Sequence, residues 1–227
     1  MDNVVLLKRI SKVYELGKTK VEALNNVDME IKTGEFISIS GPSGSGKTTM
    51  LNIIGCLDAP TTGEVYIDGI DIRVFSDSEQ SILRNEKIGY IFQSFNLIPV
   101  LNVYENIEFP LILPAHPEPK PVRKDRIMEL IESVGLSDYI RQRPNQLSGG
   151  QQQRVAIARS LVTQPKLVLA DEPTANLDSE NSKNIMEIMK GLNEKKGTTF
   201  VFSTHDPLVI GYAQRNVKLK DGQIAAG

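Results

Sequence analysis

Along most of the 227-residue chain, short apolar runs closed by Gly, Lys or small polar residues alternate with longer stretches of helical length. Phe36–Ser40 (FISIS), Ile88–Phe92 (IGYIF), Leu167–Ala170 (LVLA) and Thr199–Ser203 (TFVFS) are too short for buried helices and predict strands of a sheet. Val4–Val13 and Val65–Ile67 predict further strands flanked by turns, while Lys47–Cys56, Gln151–Val162 and Ser182–Lys195 have the length and composition of helices. This alternation is that of an α/β fold, a mostly parallel sheet covered by helices. Leu113–Pro121 (LPAHPEPKP) breaks it with four prolines in nine residues, which suit neither a regular helix nor a central strand. It is expected to be a surface loop, with His116 an exposed bystander, inside an insertion running from about Ser94 to Asn145. Without a repeat, a low-complexity tract or a long linker, residues 1–227 read as a single domain.

Composition narrows the function classes. With 40% hydrophobic residues the chain can bury a sizeable core, and its single cysteine, Cys56, excludes an internal disulfide. The apolar setting of Cys56 (NIIGCL) predicts a buried structural thiol rather than redox chemistry. No stretch approaches the roughly 18 apolar residues of a membrane span, and the N-terminus is too charged for a signal peptide. A net charge of −2 supplies no basic field for nucleic acid, and no local basic patch offers one instead.

Chemistry enters with GPSGSGKT, from Gly41 through Pro42, Ser43, Gly44, Ser45, Gly46 and Lys47 to Thr48. It follows a predicted strand and opens a predicted helix, the context a phosphate-binding loop requires. Small residues let backbone N–H groups close around phosphate oxygens, and the helix N-terminus adds its partial positive charge. Lys47 is then placed to reach the β and γ phosphates, with the Thr48 hydroxyl as a Mg²⁺ ligand and Thr49 next to it. Further on, Leu167–Ala170 runs into Asp171 and Glu172, at the sheet edge where ligands of such folds bind. Asp171 is assigned to Mg²⁺ and Glu172 to deprotonating the attacking water. His205, in FSTHD, follows another strand to the same edge as a candidate γ-phosphate contact.

Kinases, helicases and GTPases share the first two motifs; LSGGQQQRVAIARSL, beginning at Leu147, is more specific. Ser148, Gly149, Gly150 and Gln151 open a helix in the manner of a second phosphate site, and the run resembles the signature of ABC ATPases. The resemblance covers essentially the whole chain. It implies a P-loop NTPase core with a mostly parallel sheet, an N-terminal antiparallel β-subdomain and an inserted helical subdomain of about 94–162, counting the signature helix. Gln93, in IFQSF, matches the family's Q-loop glutamine, a Mg²⁺ neighbour that couples the site to the transporter. Tyr14 matches the aromatic that stacks on adenine, Ala175–Asp178 (ANLD) the loop that crosses the dimer interface, and His205 the switch histidine. The implied activity is ATP hydrolysis with Mg²⁺ in a homodimer formed on ATP binding, the signature of one chain closing over the ATP of the other.

NIIGCLDAPTTGEVYIDG and FQSFNLIPVLNVYENIEFPL are similar to the branch containing the lipoprotein-release ATPase, the macrolide-export ATPase domain and a cell-division ATPase. The expected partner is therefore an integral membrane permease, with this chain peripheral at the cytoplasmic face of the membrane. A cell-division-type role, transmitting force without moving substrate, is the alternative. Ala175 stands where glycine is frequent, and the proline-rich stretch where other members are more helical. No regulatory or fused membrane domain is expected after LKDGQIAAG.

Overall fold

The computed structural model describes residues 3–17, 19–112 and 118–225. His116, and the expected loop from Leu113 to Pro117, lie outside the described residues.

The chain opens with a long antiparallel hairpin, β1 (Asn3–Leu16) and β2 (Thr19–Lys32). Then come β3 (Phe36–Ser40), α1 (Lys47–Ile54), β4 (Thr62–Ile67), β5 (Ile70–Asp71), α2 (Asp77–Lys87) and β6 (Ile88–Ile91). Next are α3 (Val103–Glu108), α4 (Lys120–Ser133), α5 (Gly149–Leu161), β7 (Leu167–Asp171) and α6 (Ser179–Lys196). The chain finishes with β8 (Thr199–Thr204), α7 (Pro207–Tyr212), β9 (Arg215–Lys220) and β10 (Gln223–Ile224). One sheet, ordered β2-β1-β4-β5, is antiparallel. The other, β10-β9-β3-β8-β7-β6, is parallel except for its β10 edge.

The parallel strands β3, β6, β7 and β8 bury both faces, which is why they read as continuous apolar runs, whereas β9 alternates buried and exposed positions. Ile37, Ile39, Leu167, Leu169 and Val201 face a core shared with β1, β2 and α1. Their alternate neighbours Phe36, Val168, Ala170, Phe200 and Phe202 face a second core shared with α3, α4, α5 and α6. Phe36 packs its ring 4.6 Å from that of Phe202 and 5.6 Å from that of Phe200. Cys56 is buried, and desolvation pushes its thiol up to about 11, consistent with a packing role.

Two expectations need correction. Lys120 and Pro121, expected in the proline-rich loop, instead open α4, because proline in a first helical turn forfeits no intrahelical hydrogen bond. The signature helix begins at Gly149 rather than Gln151, since Ser148 caps it through a reciprocal capping box with Gln151. The register brings the C-terminal ends of β3, β6, β7 and β8 to one edge, with Ser40 beside Thr204, Ser203 beside Asp171 and Ala170 beside Ile91. The loops that leave those strands carry the candidate chemistry.

Candidate functional site

Between β3 and α1 the glycine loop is pinned from below. A Cβ at Gly41 would stand 2.1 Å from the Leu219 carbonyl oxygen of β9, so only glycine fits there. Gly46 is left-handed at φ 101°, and a Cβ on it would stand 2.3 Å from the Ala23 oxygen of β2. The Ser45 carbonyl accepts from the N–H of Gly222 at 3.2 Å, tying the loop to the β9–β10 turn. No side chain caps α1, so its first-turn N–H groups remain available to an anion. Lys47 is nearly buried and donates from Nζ to the carbonyls of Gly41 (2.8 Å) and Pro42 (3.0 Å), which hold the ammonium against the loop.

Above the loop lies a cavity of about 530 Å³. The loop with the first turn of α1 forms one wall, Val21–Ala23 of β2 another, and Gln93, Glu172 and His205 stand opposite. The Thr48 hydroxyl donates to Oδ1 of Asp171 at 3.3 Å, closing a contact across the sheet edge between residues 123 apart. Glu172 leaves β7 in a left-handed conformation, φ 45°, uncommon for a residue with a side chain and a form of strain that accumulates at functional sites. Its N–H donates to the Ser203 carbonyl, so the strand pairing continues one step while the side chain is redirected.

The Glu172 carboxylate is held on both oxygens, by His205 Nδ1 on Oε1 at 2.7 Å and by the Thr204 hydroxyl on Oε2 at 3.3 Å. His205 thus presents its Nδ1 edge to the carboxylate, on a ring that is otherwise largely exposed. Gln93 is exposed at the cavity wall, and its carbonyl accepts from Asn176 Nδ2 at 2.8 Å.

Tyr14 stands beside the cavity rather than in its lining. It pairs across the hairpin with Val21, which does line it. Its hydroxyl donates to Asp58 at 2.7 Å; Lys12 Nζ lies 4.9 Å from the ring centroid and also reaches Asp58 at 2.6 Å. Burial and the Asp58 acceptor raise the phenol's pKa, with Thr49 on α1 pulling the other way. Burial also works to raise the Asp58 carboxyl, but the hydrogen bonds from Lys12 and Tyr14 outweigh it and hold the group below the usual carboxylate range.

The structure does not bring Ser148, Gly149, Gly150 and Gln151 to this cavity. They form a separate helix N-terminus, where Ser148 Oγ accepts from the Gln151 N–H at 3.3 Å and Gln151 Oε1 from the Ser148 N–H at 2.8 Å. That leaves the N–H groups of Gly149 and Gly150 without a capping side chain. Gly150 packs on α6, where an added Cβ would stand 2.6 Å from Asn181 Oδ1.

Thr204, Lys12 and Asp58 were not legible as site residues, since each acts through a contact made only in the fold, and Asn176 was singled out only as part of the ANLD loop, not as a partner of Gln93. The one sequence signal available for Thr204 was its place beside His205 at a strand end.

The glycine loop, the paired carboxylates and the separate signature helix define a class, and the profile of the ABC transporter family matches residues 24–175: the chain belongs to that family. It is an ATP-binding cassette that hydrolyses ATP. It is 50% identical over 223 residues to the uncharacterized ABC transporter ATP-binding protein MJ0796 of Methanocaldococcus jannaschii, covering 97% of this chain and 95% of that protein. The dimeric structure of MJ0796 in a post-hydrolysis state bound to ADP and Pi superposes with a TM-score of 0.90 at 49% identity, covering 98% and 97% of the two chains. Identity is 43% over 227 residues to the lipoprotein-releasing system ATP-binding protein LolD 1 of Chlorobium chlorochromatii, 99% of this chain and 92% of that one. Against the macrolide export ATP-binding/permease protein MacB of Syntrophobacter fumaroxidans it is 42% over 222 residues, 98% of this chain but 31% of MacB.

Proposed function

We propose that this chain works as a dimer with two composite ATP sites and drives a separate membrane permease. The observation that carries the reading is the division of the site. The glycine loop, Asp171, Glu172, Gln93 and His205 gather at one sheet edge, while Ser148–Gln151 present a second anion-binding helix N-terminus away from it. A second chain related by a two-fold axis completes each half with the other's Ser148–Gln151. The dimers of MJ0796 with ADP and Pi support this arrangement.

In this reading Gly41–Thr49 wraps the phosphates, Lys47 turns from its two carbonyls to the β and γ oxygens, and Tyr14 supplies a face for the adenine. Mg²⁺ fits the donor set, because Thr48 Oγ1 and Asp171 Oδ1 are hard oxygens already 3.3 Å apart and Gln93 adds an amide oxygen at the cavity wall. When bound, the ion neutralises phosphate charge. Glu172 takes a proton from the attacking water as its oxygen bonds to the γ phosphorus and ADP departs. His205 and Thr204 fix the Glu172 carboxylate, and His205, at the cavity wall, would contact the γ phosphate.

Residues 1–227 act as one domain, with a helical subdomain of about 94–162 as the permease-facing part. Val100, Phe109 and Ile112 are exposed there, and Phe109 lines a groove of about 430 Å³ between α2, β6 and α5. Among the described residues no helix is long and apolar enough to cross a membrane, so attachment at the cytoplasmic face falls to the permease. The names of LolD and MacB support a transport partner over a force-transmitting role without substrate. The test is phosphate release with Mg²⁺ and with chelator, over a range of chain concentrations, followed by detergent extraction and identification of the co-purifying membrane protein. Activity that needs Mg²⁺ and rises per chain with concentration is expected. Metal-independent turnover, or a rate per chain independent of concentration down to nanomolar chain, contradicts the reading.

A further inference from the structure

Immediately after Gln93 the backbone makes a turn that its residues do not favour. Phe95 and Asn96 are both left-handed, at φ 60° and 48°. Asparagine tolerates that conformation but phenylalanine rarely adopts it. The local hydrogen bonds are short-range ones, Phe95 N–H to the Phe92 carbonyl at 3.1 Å and Asn96 N–H to the Ser94 carbonyl at 2.6 Å.

What holds the turn comes from elsewhere. Arg159, near the end of α5, donates from one guanidinium nitrogen to the Asn96 carbonyl at 2.6 Å and from the other to the Phe95 carbonyl at 2.8 Å. The reach is possible because α5 sits unusually close to β6: a Cβ on Gly89 would stand 2.2 Å from the Ser160 oxygen. Burial lowers the Arg159 pKa, and among the described residues no carboxylate is paired with it, so the two carbonyls are its visible compensation. A planar two-pronged donor matches adjacent carbonyls in a way an ammonium does not.

We propose that Arg159 is a positioning residue for Gln93, a fork that holds the Phe95–Asn96 turn left-handed and so fixes where Gln93 enters the ATP cavity. Asn176, from the loop after β7, is the second tether, holding the Gln93 carbonyl itself. The inference rests on the composite-site reading and deepens it. The N-terminus of α5 addresses the partner chain's nucleotide, while Arg159 at its other end grips this chain's own Gln93. A shift of α5 on closing over one ATP is thereby transmitted to the glutamine of the other site, through a rigid helix and two hydrogen bonds.

The test uses the full chain and compares steady-state ATP hydrolysis with ATP affinity. Arg159→Lys keeps the charge and loses the fork. Its kcat should fall roughly 5- to 100-fold, the population change that the bias of one strained residue represents, with the Kd for ATP within about two-fold of wild type. Phe95→Gly in the Arg159→Lys background, which makes the left-handed turn intrinsically accessible, should recover most of the lost kcat. Should Arg159→Lys fail to fold, Phe95→Pro forbids the turn while leaving Arg159 in place, and should show the same loss of kcat at unchanged affinity. Wild-type kcat in Arg159→Lys or in Phe95→Pro overturns the proposal. So does a loss that Phe95→Gly does not relieve, which marks the arginine as merely structural. Failure of the composite-site reading is distinct from these, because it appears in the wild-type chain as turnover that does not depend on dimer formation.

Discussion

Removing the ammonium of Lys47 is the perturbation whose size the structure specifies best. In Lys47→Ala the carbonyls of Gly41 and Pro42, bonded to Nζ at 2.8 and 3.0 Å, lose their charged donor. Pro42 lines an open cavity from which water can replace the donor, so the folding cost should be modest, about 1–3 kcal/mol, with the loop still pinned through Gly41, Gly46 and the Gly222 N–H. Nucleotide binding is affected more. Two charge-assisted hydrogen bonds to phosphate oxygens at about 1.5–3 kcal/mol each amount to roughly 3–6 kcal/mol, or about 10² to 10⁴ in Kd. The assay is calorimetric titration of ATP into wild type and variant in the presence of chelator, so that the metal does not mask the difference, with circular dichroism melts to show that both are folded. Affinity within about three-fold of wild type would refute the argument that this ammonium carries phosphate charge. So would an equal loss of affinity for ATP and for adenosine.

Two further outcomes follow from the same geometry. Mixing Ser148→Arg chains with Lys47→Ala chains should restore part of the ATPase activity that each lacks alone, because the heterodimer has one composite site carrying neither lesion; no recovery at any mixing ratio counts against trans action. Asp58→Ala frees the Tyr14 hydroxyl and the Lys12 ammonium and should raise the KM for ATP about five-fold, the worth of roughly one hydrogen bond's orientation, with kcat little changed; a selective fall in kcat would remove Tyr14 from base binding.

β3, β6, β7 and β8 were legible because each is short, apolar and closed by a loop residue, and because burial on both faces erases any polar alternation that would mislead; β9, also parallel, alternates buried with exposed positions and carries three cations, and was not read. β2 was not read, since Thr19–Lys32 alternates with charges and asparagines and is exposed over its first half, so its place was set by pairing with β1. α2 and α4 were missed for a similar reason: their buried residues are few, Leu83 alone in α2 and Ile127, Leu130 and Ile131 in α4, and polar and charged residues outnumber apolar ones in both. Among the candidate site residues, motif spacing and family resemblance found those proposed to meet the substrate directly. They could not find Arg159, whose partners are backbone carbonyls 63 and 64 positions away, or Asp58, which acts on Tyr14 from 44 positions along the chain. Contacts of that kind are made by the fold and leave no local pattern.

The central claim, that ATP joins two chains and Glu172 chemistry releases them, is tested most directly by size-exclusion chromatography of Glu172→Gln with and without ATP. Gln keeps the shape held by His205 and Thr204 but removes the base and one negative charge beside the γ phosphate. Loss of a general base slows hydrolysis by about 10² to 10⁴, enough for bound ATP to persist through the separation. Glu172→Gln should elute as a dimer with ATP and as a monomer without it, whereas wild type with Mg²⁺ and ATP should be largely monomeric. Elution as a monomer at saturating ATP, with hydrolysis abolished, would contradict the account, as would hydrolysis at the wild-type rate.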